Sequence, residues 1–272
     1  MTTCVHIARY LRPLLKDIET HYTWSFDEKI AEKISGVAFS KDENPLHKTA
    51  KLKHALGKKL RESQEQKLHY DIGKYIITTW GKITNHKALD EIIASTRKRA
   101  MGGRENFKSV PLTGVSSWSK YLSLLHSWAP VYDSRVAYAI NAINLISGNT
   151  TLFYAIPNGR GSRLTLIDIE TFFVIPLLAN KKITVQDLQH SQFSAKSKEQ
   201  FHIRPENTYD QYCKLLEAVA LELKDEIPQS LTPYLSPSQI IEALLFAIAP
   251  TKVLADLITF LAAGASPPAS AG

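Results

Sequence analysis

The chain has few cysteines and no long uninterrupted apolar run. Cys4 and Cys213 are the two cysteines among 272 residues, which excludes a disulfide-stapled fold and a four-cysteine metal site. A membrane-spanning helix needs about 18 or more apolar residues in a row. The richest stretch, residues 240–263, is interrupted by Glu242, Pro250, Lys252 and Asp256. We therefore expect core helices there, no membrane contact, and, without a signal-peptide pattern, a cytoplasmic location.

The remaining composition is that of a folded protein rich in helix. Hydrophobic residues make up 44% of the chain and charged residues 22%, which excludes intrinsic disorder. Apolar residues recur at helical spacing, as at Leu52, Leu56 and Leu60. No run of alternating strands is evident. The predicted fold is mostly α, and the lysines between those leucines should form an exposed basic face.

Positive charge is concentrated in the first part of the chain. Residues 1–110 contain 21 Lys and Arg against 13 Asp and Glu, whereas residues 111–272 contain 12 against 13. A basic half beside a neutral half is typical of a surface that binds a polyanion, most simply nucleic acid. A solvated helix face that aids solubility would give the same count.

One segment combines a glycine turn with two helix starts. Gly114 precedes Ser116 and Ser117, either of which suits a helix N-cap, and Asp133 or Ser134 suits the next. Free backbone N–H groups at a helix start beside a glycine turn can bind a phosphate. A carboxylate at the second helix start can then face the nucleotide to which that phosphate belongs.

This segment resembles the hairpin of the helix-hairpin-helix DNA glycosylase superfamily. Gly114-Val115 matches the hairpin's Gly-Val, and residues 131–133 match the segment bearing the catalytic aspartate, 19 residues further on. The match covers about 30 residues of 272. It departs from the family where Ser116 replaces the hairpin's third glycine and where Pro111-Leu112-Thr113 replaces Leu-Pro.

The resemblance implies two helical lobes around a DNA-binding cleft. Residues 1–110 would form a basic lobe, residues 111–146 the hairpin and catalytic segment, and residues 147–264 the helical remainder. Residues 265–272 are predicted to be a disordered tail.

The resemblance also assigns roles to single residues. Trp118 stands where strand-nicking members carry a lysine and where the alkylated-base branch carries a tryptophan, which implies a monofunctional enzyme with Trp118 and Tyr132 at the base pocket. A buried core aromatic is the alternative for Trp118. The predicted contacts to the DNA backbone are Gly114, Ser116, Ser117, Lys120 and Arg135. No metal or other cofactor is expected, except that the family's monovalent cation at the hairpin is left open by Ser116.

Asp133 is the predicted catalytic residue. Cleavage of the bond between base and sugar builds positive charge on the sugar, which a fixed carboxylate stabilises while it orients water. A plain helix N-cap, worth about 1 kcal/mol, is the alternative, and the two roles are compatible.

The resemblance specifies the substrate, and it agrees with the nucleic-acid partner that the charge distribution indicates. The partner would be double-stranded DNA carrying a modified base, which must leave the stack to be handled, and the protein would act as a monomer. The leading expectation is removal of glucosylated hydroxymethylcytosine from phage DNA as antiviral defence. The alternatives are an alkylated-base repair glycosylase, a non-catalytic DNA-binding module and a helical protein-interaction module.

Overall fold

The computed structural model describes residues 3–84, 88–149, 152–159, 162–179 and 202–265. Within these ranges the chain is mostly helical and forms no strand, apart from an isolated bridge between Phe153 and His202. The expected mostly α fold is confirmed. The α-helices are α1 (Thr3–Leu15), α2 (Ile18–His21), α3 (Glu28–Ser35), α4 (Pro45–Glu62), α5 (Gln66–Lys74), α6 (Leu89–Ala100), α7 (Val115–Leu125), α8 (Ser134–Ile146), α9 (Ile169–Ala179), α10 (Pro205–Glu222), α11 (Pro237–Ile248) and α12 (Leu254–Ala265).

Helix boundaries follow local capping chemistry. Helix α3 begins after Asp27, whose side chain accepts from the Ile30 amide, and ends at Gly36 with a φ of 77°. Helix α11 begins with a capping box in which Ser236 and Gln239 satisfy each other's backbone amides. The capping box at Ser236 fixes the residue at which α11 begins.

Two helices continue into π-helical segments. Helix α5 runs into the segment Tyr75–Trp80, and α11 is joined to α12 by the segment Ala249–Val253. Pro250, which lacks a backbone N–H, lies in the second one. The wider π turn changes the direction of the side chains that follow, and the first segment ends with Trp80 at the cavity described below.

Buried side chains form two clusters. The larger is built mainly from α1, α8, α10 and α11, and the smaller from α4, α5, the first π segment and α6. Helix α7 contributes to both, with Trp118 in the larger cluster and Tyr121 in the smaller. The leucine stripe of α4 is buried as expected, each leucine contributing about 1.5–3 kcal/mol.

The segments expected from the sequence do not coincide with the two clusters. Helix α1, from the segment 1–110, packs against α10 and α8, and its Ile7 and Leu11 are fully buried in the larger cluster. Residue 110 is therefore not a packing boundary. Of the segment 147–264, residues 180–201 lie outside the described residues, as does the predicted tail from residue 266 onward.

The first half of the most apolar helical run also belongs to the core. By length and composition alone, Pro237–Gly264 could cross a membrane. In the structure Ile240, Ile241 and Leu244 are fully buried, and the Gln239 side-chain amide donates to the Ser123 carbonyl at 2.9 Å. The first part of this run is thus a buried helix that holds α7 from one side.

Candidate active site

The turn before α7 places the start of that helix. Gly114 is the N-cap and has a φ of 67°, in the left-handed region that favours glycine. The Trp118 amide donates to the Gly114 carbonyl at 3.0 Å. The expected N-cap at Ser116 or Ser117 is therefore wrong, because the helix has already begun at Val115.

Asp133 caps α8 and leaves one oxygen for another task. Its Oδ1 accepts from the backbone amides of Arg135 at 3.0 Å and Val136 at 3.1 Å. Its Oδ2 lies 3.9 Å from Nζ of Lys120. The predicted N-cap is confirmed, and the second oxygen faces the lysine.

The chain leading to Asp133 is held by hydroxyl groups. The Tyr132 amide donates to Oγ of Ser119 at 3.0 Å. Tyr209 and Tyr212 donate their hydroxyls to the carbonyls of Pro130 at 3.0 Å and Val131 at 2.6 Å. Because these contacts are buried, they fix the carboxylate relative to α7.

Lys120 is a buried amine. Its residue is 5% exposed, and its Nζ donates to the Ser116 carbonyl one turn back at 2.9 Å. A Cβ at position 81 would lie 2.8 Å from Cδ of Lys120, so Gly81 leaves room for the side chain. Burial lowers the pKa of Lys120, and the nearby charge of Asp133 opposes that shift without cancelling it.

Lys120 and Asp133 both line a cavity of about 880 Å³. This volume is within the usual size range of ligand sites. Its wall is drawn from α4, the first π segment, the Gly114 turn, α7, α8 and α11. Aromatic and polar side chains from distant parts of the sequence complete it: Tyr22, Trp24, Thr49, Lys53, Trp80, Glu242 and Phe246.

Cations cover the aromatic faces of this wall. Nζ of Lys82 lies 4.3 Å from the ring centre of Trp24, and the Arg135 guanidinium lies 4.6 Å from that of Phe246. Lys82 has a φ of 53° and is the one non-glycine residue with positive φ in the described part of the chain. This left-handed backbone conformation costs about 1–2 kcal/mol. It places the Lys82 ammonium over the indole of Trp24.

A second pair of a carboxyl group and an amine, after Asp133 and Lys120, lies in the cavity wall. Oε2 of Glu242 is 3.7 Å from Nζ of Lys53, and both side chains are more than 90% buried. Burial raises the pKa of Glu242, an effect that the charge of Lys53 only partly offsets. Neither residue is among the site residues predicted from the sequence.

The structure brings together some of the predicted site residues and separates others. Gly114, Ser116, Ser117, Lys120, Asp133 and Arg135 line the cavity. Trp118 and Tyr132, the predicted base-pocket aromatics, are in the core. Trp118 packs edge-on against Tyr209 with ring centres 4.6 Å apart, and Tyr132 is fully buried with its hydroxyl on the Ala155 carbonyl.

The structure changes two other expectations from the sequence, the DNA contact of Lys120 and the basic face of α4. Lys120 is too deeply buried to contact backbone phosphate like a surface lysine, and it faces Asp133 instead. The basic face expected on α4 is only partly exposed, because Lys48 and Lys53 are buried beside Glu28 and Glu242. In the described part of the chain, no three His, Cys, Asp or Glu side chains gather so as to hold a metal ion.

The core position of Trp118 gives a testable expectation. Trp118→Ala should destabilise the protein by about 3–5 kcal/mol, because it empties a packed aromatic site. Trp118→Phe should lose less stability and leave any activity of the cavity within about twofold of the unsubstituted protein. Thermal unfolding combined with the activity assays below tests both. A well-folded Trp118→Phe protein with greatly reduced activity would place the ring in the site.

Comparisons with known proteins add no relative. No family model, no curated protein and no solved structure matches the chain.

Proposed function

We propose that the protein is a DNA glycosylase whose nucleophile is the Lys120 amine. The observation that carries the proposal is a buried amine with a lowered pKa, 3.9 Å from a fixed carboxylate on the wall of a nucleotide-sized cavity. Only the uncharged form of an amine can attack a carbon atom, and a lowered pKa increases the fraction of Lys120 in that form.

The reaction follows from these two groups. Lys120 attacks C1′ of a deoxynucleotide whose base has left the stack, the C1′–N bond breaks, and the base departs with the electron pair and takes a proton from the amine. Asp133 stabilises the positive charge that builds on the sugar. When the C1′–O4′ bond breaks, O4′ takes up a proton from water, and the amine nitrogen and C1′ become a protonated imine. A water molecule then removes a proton from C2′, and the C3′–O bond breaks with its electron pair leaving on the 3′ phosphate, which nicks the strand.

This proposal differs from the monofunctional enzyme expected from Trp118. That expectation placed the decisive side chain four residues after Gly114, where the structure has a core aromatic. The residue six positions after Gly114 is the one that reaches the cavity. A glycosylase that uses Asp133 and water alone remains the second candidate, since Asp133 lines the cavity in either case.

The DNA contact is proposed at the Gly114 turn. Helices α6 and α7 pack against each other on either side of it, and we assign them to the helix-hairpin-helix element between two helical lobes. The α7 N-terminus would hold a phosphate through backbone amides, with Ser116 and Ser117 beside it. The leading substrate is glucosylated hydroxymethylcytosine in phage DNA, with an alkylated base in repair as the alternative.

One experiment separates these functions. The protein is incubated with duplexes that carry normal, alkylated, hydroxymethylated and glucosylated bases, and the products are analysed with and without alkali. Release of a base with strand nicking before alkali supports the lysine mechanism. Release with nicking only after alkali supports the water mechanism. DNA binding without release would leave a binding module, and absence of both would favour a protein-interaction module.

The lowered pKa of Lys120 predicts the pH profile of covalent trapping. Borohydride reduces the imine formed on an abasic duplex, and the trapping rate should rise with pH as Lys120 loses its proton. Since burial lowers this pKa against the opposing charges of Asp133 and Glu242, the rise should level off below about 10.4, the pKa of a free lysine. A rate that is still climbing at that pH would contradict the assignment of Lys120.

A further inference from the structure

Two buried polar atoms on the cavity wall have no hydrogen-bond partner among the described residues. They are Oε2 of Glu242, an acceptor when the carboxylate is ionised, and Nε1 of Trp80, a donor. Both residues line the same cavity. A buried polar atom without a partner costs about 1–3 kcal/mol, so two in one wall indicate a polar ligand that satisfies them.

The neighbouring lysine extends this polar surface. Nζ of Lys53 is 3.7 Å from Oε2 of Glu242, which is longer than a normal hydrogen bond. A ligand that presents an N–H group and an acceptor side by side can therefore bind Glu242 with the first and Lys53 with the second, without breaking an existing hydrogen bond of this pair. An N–H next to a ring nitrogen or carbonyl oxygen is the pattern on the pairing edge of a neutral nucleobase.

The aromatic part of the wall disfavours a positively charged base. Purines alkylated at a ring nitrogen carry a positive charge, and such ligands are held over uncovered aromatic faces. Here the faces of Trp24, Phe246 and Trp80 already lie close to Lys82, Arg135 and Lys53. A cationic base would add a like charge next to these three in a partly buried site.

We propose that Glu242 and Lys53 read the pairing edge of a neutral modified base, and that the cation-covered aromatic wall rejects cationic, alkylated bases. The proposal rests on the proposed glycosylase function and selects among its substrates. Glu242 accepts a hydrogen bond from an N–H of the base, and Lys53 donates to the adjacent acceptor. Trp80 Nε1 donates to a further acceptor on the base or its substituent.

A purely structural role for the pair is the competing explanation, since the contact between Lys53 and Glu242 joins α4 to α11. The two explanations differ in their effect on a substrate that has no base. An abasic duplex reaches Lys120 without passing any base-edge contact. A specificity role therefore spares trapping on abasic DNA, whereas a structural role lowers it together with base release.

The experiment measures two reactions for the unsubstituted protein and for Glu242→Gln and Lys53→Met. The first is borohydride trapping on an abasic duplex. The second is base release from duplexes carrying one of three neutral modified bases (glucosylated 5-hydroxymethylcytosine, 8-oxoguanine or uracil) or the cationic 7-methylguanine. We expect the unsubstituted protein to release at least one neutral base faster than 7-methylguanine. Because the charges of Glu242 and Lys53 both act on the pKa of Lys120, trapping by each protein is compared at the pH where its rate has levelled off. Each variant should lose at least about tenfold in base release and keep abasic trapping on that plateau within about twofold.

Each contrary outcome identifies what has failed. Equal release by Glu242→Gln and the unsubstituted protein overturns the specificity role, and so does a parallel loss of trapping and release. Preferred release of 7-methylguanine overturns the assignment to neutral bases. If the unsubstituted protein neither traps abasic DNA nor releases any base, the proposed function itself is overturned. If Glu242→Gln does not fold, Lys53→Met makes the same comparison from the other end of the pair.

Discussion

Lys120→Met is expected to abolish the borohydride-trapped adduct with abasic DNA and the strand nicking that precedes alkali treatment. Methionine has a similar length and is apolar, so it fits the buried channel beside Gly81 while removing the nucleophile. Asp133 keeps its two backbone amide donors, so α8 should start at the same residue. The measurement is the amount of covalent protein–DNA adduct on a denaturing gel.

An exposed lysine supplies the matched control for this substitution. Lys58 lies on α4 with most of its side chain exposed, beside Glu62, and Lys58→Met removes a lysine charge that does not line the cavity. At the same moderate salt concentration, Lys58→Met should trap abasic DNA as the unsubstituted protein does. If a folded Lys120→Met protein traps abasic DNA fully, the nucleophile is another amine and not Lys120.

Asp133 carries the second large effect, and two substitutions separate its two roles. Asp133→Asn retains an oxygen that can cap α8 but removes the negative charge, so stability should change little while base release falls by about 10²–10³-fold. Asp133→Ala removes both, so it should lose a similar amount of activity and about 1 kcal/mol of stability as well. Base release and thermal unfolding of both variants are measured side by side.

The comparison between these two variants decides the role of the carboxylate. If Asp133→Asn releases base at the rate of the unsubstituted protein and Asp133→Ala loses only stability, the residue is a helix cap and nothing more. Loss of activity in Asp133→Asn with an unchanged unfolding temperature assigns the charge to the chemistry.

The helices and the aspartate could be predicted from the sequence because their signals are local. The leucine spacing of α4 and the position of Asp133 before an apolar helix depend on a few neighbouring residues, and the structure places both as expected. The start of α7 was misplaced because two serines near a helix start look like caps. The backbone at Gly114 takes that position instead, without a side-chain cap.

Trp118 lies in the core and Lys120 on the cavity wall for a reason that helix geometry explains. Residues two apart on a helix point about 200° away from each other, so one faces the core when the other faces the opposite side. The sequence shows that separation but not which side carries the cavity. Packing against Tyr209 fixes Trp118 in the core and turns Lys120 toward Asp133.

Lys53 and Glu242 lie too far apart in sequence for any local pattern to pair them. Lys53 looked like one more lysine on a basic helix, and Glu242 like an interruption in an apolar run. The interruption was a usable signal, since an isolated acid on a helix that is otherwise buried needs a partner or a function. Only the packing of α4 against the cavity supplies that partner.

Identification of the trapped residue tests the central claim most directly. The protein is incubated with an abasic duplex and borohydride, the adduct is digested with protease and nuclease, and the modified peptide is sequenced by mass spectrometry. The account predicts that the sugar remnant is attached to Nζ of Lys120. Attachment to any other amine, or no adduct from a protein that nonetheless releases bases, would contradict it.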